Sequence, residues 1–251
     1  KVEGRRSKVE GRRSKVEGRR SKVEGRRSKV EGRRSKVEGR RSECVGGVVV
    51  GESASQSGIL VEADSVMKKI LAFSGSLRAG SFNQKLVRIA AKGAEEAGAE
   101  VTLISLADYP MPLFDQDLED EDGKPEAAKR LKGLFLSHDA LLIASPEYNS
   151  MITAALKNAI DWVSRADSED EAPLAAIAGK TAAIVSASPG GYGGKRSLGF
   201  LRPFLENVKV TVIPEEFSLP AAHEAFDDQG GLLEAEHERT VKAIGRMLAE
   251  I

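Results

Sequence analysis

The chain has 251 residues, 41% of them hydrophobic, with 38 Lys and Arg against 38 Asp and Glu, and its neutrality conceals +12 over residues 1–42, −4 over 43–66 and −8 over 67–251. The acidic body argues against broad nucleic-acid binding. A single cysteine, Cys44, and three scattered histidines, His138, His223 and His237, exclude a disulfide framework and a zinc or iron–sulfur ligand set, and no run approaches the roughly 18 apolar residues of a membrane span, so the composition is that of a soluble cytoplasmic protein.

Residues 1–42 are six identical copies of Lys-Val-Glu-Gly-Arg-Arg-Ser. A coiled-coil seam needs two apolar positions in seven, and here only Val recurs. The glycine in every copy costs about 1 kcal/mol against a helix. Residues 1–42 are therefore expected to be disordered tandem repeats, and 43–66, rich in Gly, Ser and Val, a low-complexity linker. The run Val48-Val49-Val50 is too short for the apolar region of an export signal. Met67-Lys68-Lys69-Ile70-Leu71 reads like a natural start, so residues 67–251 are taken as one domain, long enough for a well-buried core.

From Met67 the chain alternates strand and helix. Lys69–Phe73 is a short apolar strand. The stretch from Gly75 to Leu86, Gly-Ser-Leu-Arg-Ala-Gly-Ser-Phe-Asn-Gln-Lys-Leu, leads into a helix over Ser81–Ala97 that stops at Gly98. Unpaired N–H groups and the dipole at a helix start favour an anion. Gly75 and Gly80 allow tight backbone angles, Ser76, Ser81 and Asn83 offer short donors, and Arg78 brings a charged fork. The same residue types also serve as a plain turn and helix cap, and the residues alone leave both open. The spacing fits neither G-x-G-x-x-G nor a P-loop.

A second strand spans Glu100–Ser105. The loop Asp108–Lys124 follows, containing Pro112-Leu113-Phe114-Asp115, and a segment that long is often functional or at an interface. Next come a helix over Glu126–Leu136 and a buried strand over Ala140–Ala144. Ser145-Pro146-Glu147-Tyr148-Asn149-Ser150 then supplies a stiff exit, a flat ring with a polar tip and an amide. The helix Thr153–Val163 follows, with Trp162 assigned to the core. The strand Lys180–Ala187 ends in Ser188-Pro189-Gly190-Gly191-Tyr192-Gly193-Gly194, where glycines let a flat ligand lie against the backbone. A helix over Lys195–Leu205 contains Pro203, a fifth strand covers Val208–Ile213, and the last helix runs over Gly231–Ala249.

Five strands with intervening helices predict an α/β three-layer sandwich, its parallel sheet ordered 2-1-3-4-5. Ligands of such sheets bind beyond the carboxyl ends of the strands at a switch point. The loops after strands one, three and four would converge there.

Together, Gly-Ser-Leu-Arg-x-Gly-Ser-x-Asn, then Pro-Glu-Tyr-Asn with Leu-Lys-Asn-Ala-Ile-Asp-Trp, then the glycine-rich turn, resemble the NADPH-dependent FMN reductases over residues 67–251. The bacterial chromate/quinone reductases and azoreductases are the members most similar in these motifs. The resemblance implies a flavodoxin-like fold holding FMN noncovalently, with NADPH, or else NADH, as co-substrate. It places the phosphate on Ser76, Arg78, Ser81, Phe82, Asn83 and Gln84. The ring lies against Pro146, Glu147, Tyr148 and Asn149, with Ser188, Pro189, Gly190 and Gly191 closing beside it. No side chain is assigned as catalytic, because the cofactor carries the chemistry, and no metal is expected. The implied reaction is ping-pong: a hydride passes from NAD(P)H to the flavin, and a quinone, azo, chromate-like or free-flavin acceptor then takes the electrons. The resemblance also implies a homodimer or homotetramer, with no nucleic-acid or membrane partner. Tyr192 departs from the family pattern and leaves the acceptor class open. A flavodoxin-like electron carrier is the alternative, and Arg78 counts against it.

Overall fold

The computed structural model describes residues 67–251. The repeats of 1–42 and the linker of 43–66 lie outside the described residues. Five strands are ordered β2-β1-β3-β4-β5: β1 Lys69–Ser74, β2 Glu100–Ser105, β3 Ala140–Ala144, β4 Thr181–Ala187 and β5 Thr211–Leu219. Every pairing is parallel. Ile70 faces Val101 on one side and Ala140 on the other. The expected flavodoxin-like architecture and strand order are both observed.

The helices are α1 Phe82–Glu96, α2 Gln116–Asp122, α3 Glu126–Ser137, α4 Ala154–Val163, α5 Lys195–Asn207 and α6 Ala235–Glu250. Because side chains alternate along a strand, each central strand feeds two cores. Ile70 and Ala72 pack with Leu86 and Ala90 of α1 and with Val241, Ile244 and Leu248 of α6. Leu71 and Phe73 pack with Leu131 and Phe135 of α3, Leu156 and Ile160 of α4, and Leu198 and Leu201 of α5. Burial on both faces is why β1, β3 and β4 read as nearly unbroken apolar runs. The edge strand β2 is only half-buried.

On the first face the helices meet backbone to backbone. A Cβ on Gly93 of α1 would stand 2.1 Å from the Lys242 carbonyl oxygen, and one on Gly245 of α6 would stand 1.8 Å from that of Ala90. Only glycine permits this approach.

Four elements differ from expectation by more than one residue. The long loop holds α2, whose start is capped by Asp115 accepting from the Asp117 N–H at 2.9 Å. Its sequence, Gln-Asp-Leu-Glu-Asp-Glu-Asp, carries too few apolar residues to show a helical stripe. Helix α5 runs to Asn207, through Pro203. Strand β5 starts at Thr211 rather than Val208, because Val208 and Lys209 close the end of α5 with bonds to Leu205 and Glu206, and Lys209 has φ 68°. It also runs on to Leu219 past an irregularity at Pro214, where Arg202 donates to the carbonyls of Val212 (3.1 Å), Ile213 (2.9 Å) and Pro214 (3.3 Å). Finally, α6 starts at Ala235, since Gly231 belongs to a turn built around Asp227.

Candidate cofactor-binding site

An open cleft of ≈ 290 Å³ lies at the carboxyl ends of β1, β3 and β4. Ser76, Arg78, Ser81, Phe82 and Asn83 form one wall, Pro146, Glu147 and Tyr148 a second, and Ala187, Ser188 and Pro189 a third. The three loops singled out in the sequence thus meet at one place.

The first wall is organised by short backbone bonds. The Ser74 hydroxyl accepts from the Ser76 N–H (3.1 Å) and the Ser76 hydroxyl from the Arg78 N–H (3.2 Å). Ser81 caps α1, accepting from the Gln84 N–H at 3.3 Å. The Phe82 and Asn83 N–H groups lie in the first turn, where an α-helix offers no internal acceptor. The Arg78 guanidinium donates to the Gly80 carbonyl at 2.8 Å and lies 5.2 Å above the Phe82 ring.

Two residues assigned to the phosphate have their side chains committed elsewhere. Asn83 Nδ2 donates to the Ala187 carbonyl at 2.7 Å, and the Ala187 N–H donates to Asn83 Oδ1 at 2.9 Å. Gln84 Nε2 donates to the Ile104 carbonyl at 3.3 Å, and Gln84 is absent from the cleft lining. Asn83 reaches the cleft while clamping α1 to β4.

In the second wall, Tyr148 and Met151 exchange backbone bonds of 3.0 and 3.1 Å around Asn149 and Ser150, at φ 52° and 68°. This is a two-residue left-handed turn, which Asn tolerates well, and Asn149 lies outside the cleft lining. Glu147 Oε2 accepts from the N–H groups of Arg196 (3.1 Å) and Ser197 (3.3 Å). It thereby caps α5, whose own N-cap is Gly194 and has no side chain to offer. Its other oxygen pairs with Arg196 Nη1 at 3.4 Å, and the Arg196 guanidinium lies 4.1 Å over the Tyr192 ring. Glu147 joins the second lip to the third.

The glycines of the third loop divide by role. A Cβ on Gly193 would lie 2.7 Å from Leu219 and Pro220 backbone atoms, and one on Gly194 would lie 1.8 Å from Ser186 Oγ. Both have positive φ, 60° and 86°. These two seat α5 against the sheet. Gly191 faces open space, a Cβ on Gly190 would meet only Ser188 Oγ at 3.7 Å, and neither lines the cleft. Ala187 does line it and was missed, because nothing in an alanine at a strand end marks it.

A charged network stands apart from the cleft lining. Buried Lys132 of α3 pairs with Asp167 (2.8 Å) and Glu171 (2.6 Å) and donates to the Arg165 carbonyl (2.9 Å). Burial alone would lower the Lys132 pKa, but hydrogen bonds with the two carboxylates raise it. The Glu171 pKa is lowered by the Asp167 N–H and then by Lys132. This network fastens the segment between α4 and β4.

The cleft suits a phosphorylated flat heterocycle. First-turn N–H groups, the hydroxyls of Ser76 and Ser81 and a guanidinium belong to the first wall, while Pro146, Tyr148, Ala187 and Pro189 bring apolar surface to the other two. Residues 68–224 match the family described as NADPH-dependent FMN reductase. A probable NADPH:quinone oxidoreductase of Oryza sativa subsp. japonica is 37% identical over 179 residues, which are 69% of this chain and 83% of that protein. An NAD(P)H-dependent FMN reductase of Pseudomonas aeruginosa is 38% identical over 167 residues, 66% of this chain and 85% of that one. Among solved structures, the flavoenzyme NAD(P)H:(acceptor) oxidoreductase FerB of Paracoccus denitrificans superposes with a TM-score of 0.60 at 27% identity, covering 73% of this chain and 96% of that one. These comparisons lend no support to the electron-carrier alternative. The cleft, the sheet order and the relatives agree: the chain belongs to the NADPH-dependent FMN reductase family and is a flavin-dependent NAD(P)H oxidoreductase.

Proposed function

We propose that the cleft holds FMN with its phosphate at the start of α1 and its ring between the second and third walls, and that the enzyme reduces a quinone-class acceptor with NADPH. The observation that carries this is the meeting of three loops from adjacent strands, with a guanidinium, two serine hydroxyls and the start of α1 together in the first wall. FMN, when bound, supplies the redox chemistry, taking a hydride from NAD(P)H and giving electrons to the acceptor. The chain supplies position. The Phe82 and Asn83 N–H groups, Ser76, Ser81 and Arg78 hold the anionic end. Pro146 and Pro189 give the ring stiff, apolar sides. Tyr148, 57% exposed, lines the cleft and bears on which flat molecules enter.

The quinone reading draws on relatives named NADPH:quinone oxidoreductase and quinone reductase; azo, chromate-like and free-flavin acceptors are the other candidates. The same reading makes residues 67–251 the reductase domain of a cytoplasmic homodimer or homotetramer.

Under anaerobic conditions NADPH is expected to bleach the yellow absorbance of the holoprotein, and a quinone to restore it in a separate step. Steady-state plots against the two substrates should give parallel lines. Colour that persists in excess NADPH but yields to dithionite would overturn the proposal.

A further inference from the structure

Phe226 lies beyond the residues matched by the family, 68–224, and outside every motif singled out in the sequence. It sits in the segment between β5 and α6, bridged to Leu232 and closed by Asp227, whose Oδ1 accepts from the N–H groups of Gln229 (2.9 Å) and Gly231 (2.8 Å). Its ring stacks on that of Phe82, centroids 6.1 Å apart and planes within 5°. Phe82 is the first residue of α1 and lines the cleft. The Arg78 guanidinium lies 5.2 Å from the centroid of the Phe82 ring, and the Lys85 ammonium lies 5.3 Å from that of Phe226. Each ring thus has a cation against it and stacks on the other ring.

The arrangement matters physically. The attraction depends on where the cation sits over the ring face, so the position of the Phe82 ring bears on that of the guanidinium. Phe82 packs partly buried against the core, and Phe226 covers it with a parallel ring whose own loop is fixed by Asp227. We infer that Phe226 is a positioning residue for the anionic end of the cleft: acting through Phe82, it holds the Arg78 guanidinium at the wall and so sets the affinity for phosphorylated flavin. This rests on the cofactor placement proposed above.

The competing explanation is that Phe226 is only apolar support for α1 and α6, against which it packs partly buried. FMN and riboflavin separate the two, because riboflavin has no phosphate for Arg78 to meet. The full chain, freed of flavin, is titrated with each, comparing wild type with Phe226→Leu, Phe226→Tyr and Arg78→Ala. Leucine keeps apolar bulk without the aromatic face, and tyrosine keeps the face. Phe226→Leu should weaken FMN about three- to tenfold while riboflavin stays within about 1.5-fold, and Phe226→Tyr should restore FMN. In the double variant, Phe226→Leu should add nothing to the loss caused by Arg78→Ala. Equal losses for both flavins, or additive losses in the double variant, would overturn the proposal. FMN affinity that falls with Arg78→Ala but not with Phe226→Leu overturns it alone. FMN affinity untouched by Arg78→Ala overturns the cofactor placement as well.

Discussion

Asn83 and Ala187 exchange a pair of hydrogen bonds, 2.7 and 2.9 Å, across 104 residues of chain. Both partners are buried and both line the cleft. The pair makes the start of α1 and the end of β4 one unit, so the first wall and the third wall hold a fixed separation. Asn83→Ala leaves the Ala187 N–H and C=O without these partners, a loss of about 1–3 kcal/mol. The thermal midpoint should fall by roughly 3–9 °C for a domain of this size. FMN and riboflavin should weaken together, because the geometry of the cleft changes rather than its charge. A loss confined to FMN would instead make the Asn83 amide a phosphate donor.

Within the glycine-rich turn, substitutions should sort by the space behind each glycine. Gly194→Ala drives a Cβ to 1.8 Å from Ser186 Oγ at a φ of 86°. That forces the start of α5 off the sheet and should cost upward of about 3 kcal/mol, seen as poor soluble yield or a collapsed urea midpoint. Gly191→Ala meets nothing within 4 Å, so stability should move by less than about 0.5 kcal/mol. If Gly191→Ala unfolds the protein and Gly194→Ala does not, the two roles are reversed.

Acid should weaken the segment held by Lys132. The Glu171 carboxyl is held below its ordinary value of 4.5 by the Asp167 N–H and by Lys132. A carboxylate with a depressed pKa contributes stability above its unfolded value and loses that contribution as the pH falls through the folded one. Urea midpoints measured from about pH 6 to about pH 3 should therefore decline below 4.5. Glu171→Gln should lower the midpoint at the upper end and flatten the decline. An unchanged slope in Glu171→Gln would assign the acid sensitivity to other carboxylates.

The sheet was legible because each central strand is a short apolar run set off by glycine or a polar loop, as in Ile70–Phe73 and Ala140–Ala144. The meeting of three loops followed from the strand order alone. What the sequence hid were the partners. Asn83 reads as a phosphate donor until Ala187 is seen beside it, and Glu147 reads as a ring contact until the bare N-terminus of α5 is seen against it. Four glycines in one turn look equivalent, yet only Ser186 and Leu219 behind them distinguish Gly193 and Gly194 from their neighbours. Helix α2 escaped notice because it has no buried face, and the length of β5 depended on Arg202 supplying donors at Pro214. Apart from α2, each of these rests on a contact between elements that no local pattern encodes.

The close crossing of Gly93 and Gly245 bears on the order of events during synthesis. Helix α1 brings Phe82 and Asn83 to the cleft at its front, yet its back is covered by α6, which follows all five strands in the sequence. A nascent chain that has made β1 to β5 still exposes Ala90, Gly93 and Ala94 to water. Domains fold as units once their sequence has emerged, and here the unit is not closed until Gly245 has left the ribosome. Ribosome-stalled chains ending before Ala235 should therefore fail to retain FMN, and chains extended by a linker beyond Ile251 should retain it. The cofactor would then arrive late, admitted only after α6 has docked.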